Sequence, residues 1–379
     1  MTQSRDSAIP WFVWCAVIAV TSAMVGTHWD IAWHRSIGRD SFWTPAHMAI
    51  YFAGLLAGLS CAYLILATSF SRDPAARKAS VGMWGFRGPL GAFICAWGGM
   101  AMITSAPFDD WWHNAYGLDV KVLSPPHVVL VAGIIAIDLG ALILILGNMN
   151  RAHGPARKRL GWMFLYVAAM VLICLFILIF EYNFRLYMHG GRFYRVVSMV
   201  VPIVLAAVSR ASGRRWASTT VIAFYSAFLL LMLWILPLAP AETKLGPVYR
   251  QVSSLIPGEF PLLLIVPAVV LDLLFARTIK WSKWLQSATA GAAFLLVFFS
   301  VQWPFATFLM SPAARNRFFG AIYFDYNLPP TSYYVRYLFL PTEQSAAEFW
   351  MQMSLAAVLA IVTTRIGMAW GEWMQKIRR

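Results

Sequence analysis

Two stretches of this chain carry side chains of the kinds that hold metal ions, in nearly the same order. Gly26 to His47 reads GTHWDIAWHRSIGRDSFWTPAH, and Ser105 to His127 reads SAPFDDWWHNAYGLDVKVLSPPH. Asp30 aligns with Asp109, Trp33 with Trp112, His34 with His113, Gly38 with Gly117 and Asp40 with Asp119. With one extra residue in the second stretch, Pro45 falls on Pro126 and His47 on His127. Each stretch thus offers Asp-x-x-x-His and then a second His behind a proline. Residues four apart share a helical face, so Asp30 and His34 can address one point, as can Asp109 and His113. The second His opens the next helix, which a short connection returns antiparallel to the first. Two imidazoles and a carboxylate suit copper, iron or zinc, and a three-ligand set leaves a position open to water, dioxygen or substrate.

The elements that must position these groups are membrane helices. Of 379 residues, 60% are hydrophobic and 12% charged, with a mean hydropathy of +0.65. An all-α, polytopic integral membrane protein follows. A span takes roughly 20 apolar residues, and such runs lie at 11–25, 45–70, 86–106, 126–149, 160–180, 193–209, 218–238, 255–275, 287–310 and 348–370. About ten transmembrane helices are therefore expected, the sixth being the shortest of the later runs. The first has no small-residue cleavage site before the motif and reads as a retained helix. Basic residues gather in alternate connections, from Arg72, Arg77, Lys78 and Arg87 through Arg151, Arg157, Lys158 and Arg159 to Arg210, Arg214 and Arg215, then Arg277, Lys280 and Lys283. By the positive-inside rule both termini are expected in the cytoplasm and both motifs towards the outer face, in the inner membrane of a bacterium or archaeon. Helices 1–2 and 3–4 then form a parallel internal repeat. Residues 1–150 are read as a four-helix metal-binding core, and 151–379 as further helices whose outer connections are rich in proline and aromatic residues.

The net charge of +14 is largely the positive-inside pattern, and no basic-aromatic cluster stands free of the membrane, so nucleic acid is not expected as a partner. The lipid bilayer is. Cys15, Cys61, Cys95 and Cys174 all fall inside apolar runs without CxxC spacing, and read as small core residues rather than a disulfide frame or thiolate site. No nucleotide-binding, flavin or iron–sulfur motif is present, so any redox chemistry requires an external electron donor.

The set Asp30, His34 and His47, with the second His thirteen residues beyond the first, resembles the principal copper site in the C subunit of the particulate methane and ammonia monooxygenases. The second set, Asp109, His113 and His127, is similar to the neighbouring copper site of that subunit, where Asn stands in place of Asp109. The resemblance covers about residues 10–150, and the family's C subunit is shorter and works with other subunits. It implies copper at Asp30, His34 and His47, a second copper at Asp109, His113 and His127, and further monooxygenase subunits as partners. The closer match of the first set implies that it dominates any oxidation chemistry.

Three functions fit these residues: a copper-dependent membrane monooxygenase, or its catalytic subunit, oxidising a small apolar molecule with dioxygen; a membrane metal-binding or metal-transfer protein; and a bis-His haem protein. The paired Asp residues argue against haem, since a carboxylate beside each axial His has no need to converge on the iron. Elsewhere, Asp40 and Asp119 fit roles as acceptors orienting the histidines or as helix caps. Trp29, Trp33, Trp43, Trp111 and Trp112 fit an interfacial belt, and His28 an interfacial position. Glu181, Tyr182, Arg185 and His189 read as loop residues with solvent partners, and Asp272 as an ion-pair partner for Arg277.

Overall fold

The computed structural model describes residues 8–38, 40–117, 124–244, 251–323 and 343–379. Its helices are α1 (Trp11–Ser36), α2 (Pro45–Ser69), the short α3 (Pro74–Lys78), α4 (Leu90–Tyr116), α5 (Pro125–Arg151), α6 (Gly154–Leu178), α7 (Gly191–Ser212), α8 (Ala217–Ile235), α9 (Ile265–Arg277), α10 (Lys283–Met310) and α11 (Ala346–Met374). A small antiparallel hairpin, β1 (Val81–Met83) with β2 (Phe86–Gly88), joins α3 to α4. Among the described residues nine helices are long and apolar enough to cross a membrane, and the chain is an all-α polytopic membrane protein.

The difference from ten helices lies at 255–275. Only α9 is helical there, with 13 residues, or roughly 20 Å at 1.5 Å per residue, short of a span. Pro257, Gly258 and Pro261 precede it, and proline has no amide hydrogen to give a helical ladder. The segment is nonetheless buried, with Leu255 2%, Phe260 8% and Leu264 0% exposed. It packs along α8. The Tyr225 hydroxyl donates to the Pro261 carbonyl at 3.1 Å, and Asp272 accepts from the amides of Ser218 and Thr219 at 3.1 and 2.8 Å. Ser218 opens α8 and Tyr225 stands about two turns on, so the segment runs antiparallel to α8 with an irregular first half and a helical second half. Irregular backbone at this depth is tolerated where protein buries it. Asp272 therefore caps the N-terminus of α8, where a carboxylate also meets the positive end of the helix dipole, instead of pairing with Arg277. The sixth run is a full helix: α7 spans 22 residues, with Val197, Val201, Leu205 and Ala206 fully buried.

The chain divides into two compact units. The first comprises α1 as far as His34, Gly38–Cys174 and Met374–Arg379; the second comprises Arg35–Ile37 and Leu175–Trp373. In the first unit, small residues bring helix backbones together. The Ser22 hydroxyl of α1 donates to the Ala49 carbonyl of α2 at 2.8 Å. A Cβ added at Gly99 of α4 would stand 2.6 Å from the Gly54 carbonyl oxygen of α2, and one at Gly98 would stand 2.7 Å from that of Gly133 in α5. No larger residue fits at either crossing without moving backbone.

Both second histidines occupy the third position of their helix, behind Thr44–Pro45 at the start of α2 and Ser124–Pro125 at the start of α5. The equivalent prolines are therefore Pro45 and Pro125, not Pro126, because the cap and the proline at the first helical position set the register. Ser124 makes this explicit: its hydroxyl accepts from the His127 amide at 3.4 Å.

Candidate metal centre

Asp30 and His34 lie in the last two turns of α1, and His47 in the first turn of α2. His47 Nε2 stands 3.2 Å from Asp30 Oδ1, and His34 Nε2 stands 3.7 Å from Asp30 Oδ2. A fourth side chain joins them from the connection. Asp40 Oδ2 lies 3.3 Å from His34 Nε2 and 3.4 Å from His47 Nε2, with its side chain only 4% exposed. In the second stretch Asp109 Oδ1 stands 3.7 Å from His113 Nε2 and 3.4 Å from His127 Nε2. Within each group, Asp30–His34–Asp40–His47 and Asp109–His113–His127, one donor atom per residue lies within 4.8 Å of every other. The residues have the types and spacing to hold a metal ion. Asp119 lies outside the described residues.

The hydrogen bonding within these groups points the same way. Asp30 Oδ1 and Asp109 Oδ1 are buried and accept no hydrogen bond, although an imidazole nitrogen faces each of them. Carboxylate and imidazole this close form an ion pair when the imidazole is protonated, and the same donor atoms would suit a shared cation when it is not. His47 Nδ1 is also buried without a hydrogen-bond partner, so packing on Tyr51, with ring centroids 6.0 Å apart, holds its ring. Asp40 lies in the connection, outside the helices. Burial opposes its ionisation, but the hydrogen bond from His34 and the nearby charges of His34, His47 and His113 outweigh this and hold its carboxyl below the ordinary value.

The two groups adjoin one cavity of about 330 Å³. Asp40, Phe42, His47 and Tyr51 line one side, and Asp109, Asp110, His113 and Asn114 the other. Among the described residues that line it, Asp40, Asp109 and Asp110 carry carboxyls and none is a lysine or arginine. Charges in one group also act on the other, as Asp109 does on His34 and His113 on Asp40.

Spacing alone does not foresee four of these lining residues as part of the site. Asp40 fits equally as a cap or an orienting acceptor, because a loop carboxylate has no helical period to fix its direction. Tyr51 follows His47 by one helical turn and so shares its face. Asp110 and Asn114 are also one turn apart, with the Asn114 amide donating to the Asp110 carbonyl at 2.8 Å. Trp43 and Trp111, at 74% and 55% exposed, do not line the cavity and suit the interfacial belt. His28 is buried within the protein, 1% exposed, with its Nδ1 2.9 Å from the Met24 carbonyl oxygen.

In the second unit, Arg185 is buried and His189 half-buried, and both have protein partners. The Arg185 amide donates to Glu259 Oε2 at 2.6 Å and its guanidinium to the Phe319 carbonyl at 2.9 Å. Burial lowers the Arg185 pKa to about 10, with Glu259 opposing the shift and Arg35 adding to it. His189 Nε2 meets the Thr307 hydroxyl at 3.0 Å, edge-on to Trp303. Glu181 and Tyr182 remain exposed.

No family model, no curated protein and no solved structure matches the chain.

Proposed function

We propose that this protein is a copper-dependent membrane oxygenase, or the catalytic subunit of one, acting on a small apolar molecule. The observation that carries the metal reading is the convergence of donors, one atom of each of Asp30, His34, Asp40 and His47, and of Asp109, His113 and His127, lying within 4.8 Å of every other in its group. Copper and oxygenase chemistry rest on the motif resemblance and on the ligand preference of mixed imidazole–carboxylate sets, with iron and zinc as alternatives.

Asp30, His34, Asp40 and His47 would hold one ion, and Asp109, His113 and His127 another. A copper ion there would supply dioxygen activation, with electrons from an external donor. The chain's own residues bind, neutralise and exclude. Asp30 and Asp40 offset the charge of a divalent ion, while the Phe42 ring and Ala106 give the cavity apolar wall. Tyr51 and Asn114 offer it a hydroxyl and an amide. Asp40 adds a donor to the first group that the Asp-x-x-x-His spacing does not supply. The first group has four donors, and the second has three among the described residues. The basic connections support cytoplasmic termini and metal groups towards the outer face.

Elemental analysis with electron paramagnetic resonance on protein purified without chelator tests this reading. Copper with nitrogen hyperfine structure, accompanied by oxygen consumption with an added reductant, is the expected result. Bound metal without oxygen consumption would favour a metal-binding or metal-transfer protein, and a Soret band would favour haem.

A further inference from the structure

One arginine of the second unit lies inside a helix of spanning length and forms no ion pair among the described residues. Arg365 stands in the second half of α11. Its Nε is buried without a hydrogen-bond partner, and its guanidinium lies over the Trp284 ring of α10, 5.6 Å from the centroid. Charged groups in a span are costly and take partners, and those near a helix end reach for the interface. A ring face is a weak partner for such a charge. The carboxyl two turns further on, Glu372, is held by another cation: Lys283 Nζ donates to its Oε2 at 2.5 Å.

Contacts among three helices bring these groups to one place. Lys283 and Trp284 open α10. Arg365 and Glu372, seven residues apart, share a face of α11 and are separated along it by roughly 10 Å. Gly371, beside Glu372, packs so closely on Ala207 and Arg210 of α7 that no Cβ fits between them. The Arg210 guanidinium donates to Gln286 Oε1, one turn past Lys283, and the Gln286 amide donates in turn to the Thr278 hydroxyl at 2.8 Å. Three cations, Arg210, Lys283 and Arg365, thus stand around one carboxylate where α10 begins and α11 ends. The surface beside them is apolar, with Leu285, Val362, Ile366 and Trp370 exposed.

We propose that Arg365, Trp284, Lys283 and Arg210 form a headgroup site for an anionic phospholipid of the bilayer. The Arg365 fork donates paired N–H bonds to the phosphodiester oxygens, and Trp284 lies at headgroup level. Lys283 and Arg210 leave an excess of positive charge over Glu372 that attracts an anionic lipid and disfavours the ammonium of a zwitterionic one. Acyl chains run along Leu285, Val362 and Ile366, so the occupant is a lipid and not free phosphate. Basic connections are common to membrane proteins; a guanidinium inside the span, laid over a tryptophan, is what distinguishes this place. The site shares no residue with the Asp/His groups and stands whether or not they bind metal.

The test titrates the full-length protein in mild detergent with phosphatidylglycerol or phosphatidylcholine and counts bound lipid by native mass spectrometry. Wild type should bind phosphatidylglycerol roughly tenfold more tightly, and Arg365→Gln should abolish that preference, the loss expected for a charge-assisted hydrogen bond. Arg159→Gln, which removes the same charge from the start of α6, should keep it. Excess inorganic phosphate should leave the lipid bound; its displacement would make this a phosphate site and overturn the lipid assignment. Should Arg365→Gln fail to fold, wild-type protein crosslinked to a phosphatidylglycerol with a diazirine close to its headgroup gives the answer: adducts within 281–285 or 362–370 support the site. Equal affinity for the two lipids, an unchanged preference in Arg365→Gln, or adducts confined to other helices overturns it.

Discussion

At the scale of single residues, the candidate centre depends most on a side chain outside the Asp-x-x-x-His spacing. Asp40 comes within 3.3 and 3.4 Å of both imidazoles of the first group, so Asp40→Asn should weaken metal binding there by roughly 10- to 100-fold. Binding at Asp109, His113 and His127 should change much less. Metal content per chain, read by elemental analysis after dialysis against a weak chelator, checks this. If both groups lost metal equally, the variant would be acting on folding. In His34→Ala and His47→Ala proteins bound metal should be lost from the first group, and in His113→Ala and His127→Ala from the second. Electron paramagnetic resonance of the four proteins separates the two losses. The donor sets were legible in the sequence because helix period and a proline at a helix start are local properties. The inward reach of Asp40 was not, since its direction is fixed only when the connection closes over α1 and α2.

At the scale of elements, two contacts can be tested as packing. Asp272 accepts two backbone amides and the Thr219 hydroxyl at the start of α8. Asp272→Ala should cost about 1–3 kcal/mol, in the range for lost charged hydrogen bonds and caps, and Arg277→Ala well under 1. Denaturation midpoints of the two variants in detergent distinguish a cap from an ion pair. At the α4–α5 crossing, Gly98→Val places bulk against the Gly133 carbonyl oxygen. It should cost about 1–3 kcal/mol of strain and release metal from the group carried by that helix pair, while Gly85→Val, with nothing near its Cβ, should keep the metal. Hydropathy located most of the helices because apolar runs of spanning length are a strong signal. It overcounted at α9, where burial by neighbouring protein, not helical hydrogen bonding, accounts for the apolar stretch before the short helix. The same cause underlies α7, a span only moderately apolar yet largely buried inside the protein.

At the scale of the whole molecule, the alternation of basic connections predicts that a cysteine placed in the connection between α1 and α2 reacts with a membrane-impermeant reagent added from outside, and one beside Lys376 does not. Labelling of the first only after lysis would reverse the orientation. The cavity between the two Asp/His groups has a consequence for how the protein fills. Among the described residues it is lined by three carboxyls and no lysine or arginine, and the charges of each group reach the other. An ion held in one group would take up much of the negative charge that attracts a second. Loading of both groups would then be sequential, with a biphasic isotherm and an apparent Hill coefficient below one. A preparation carrying a single ion in this cavity would be the half-filled member of a two-step series rather than damaged protein.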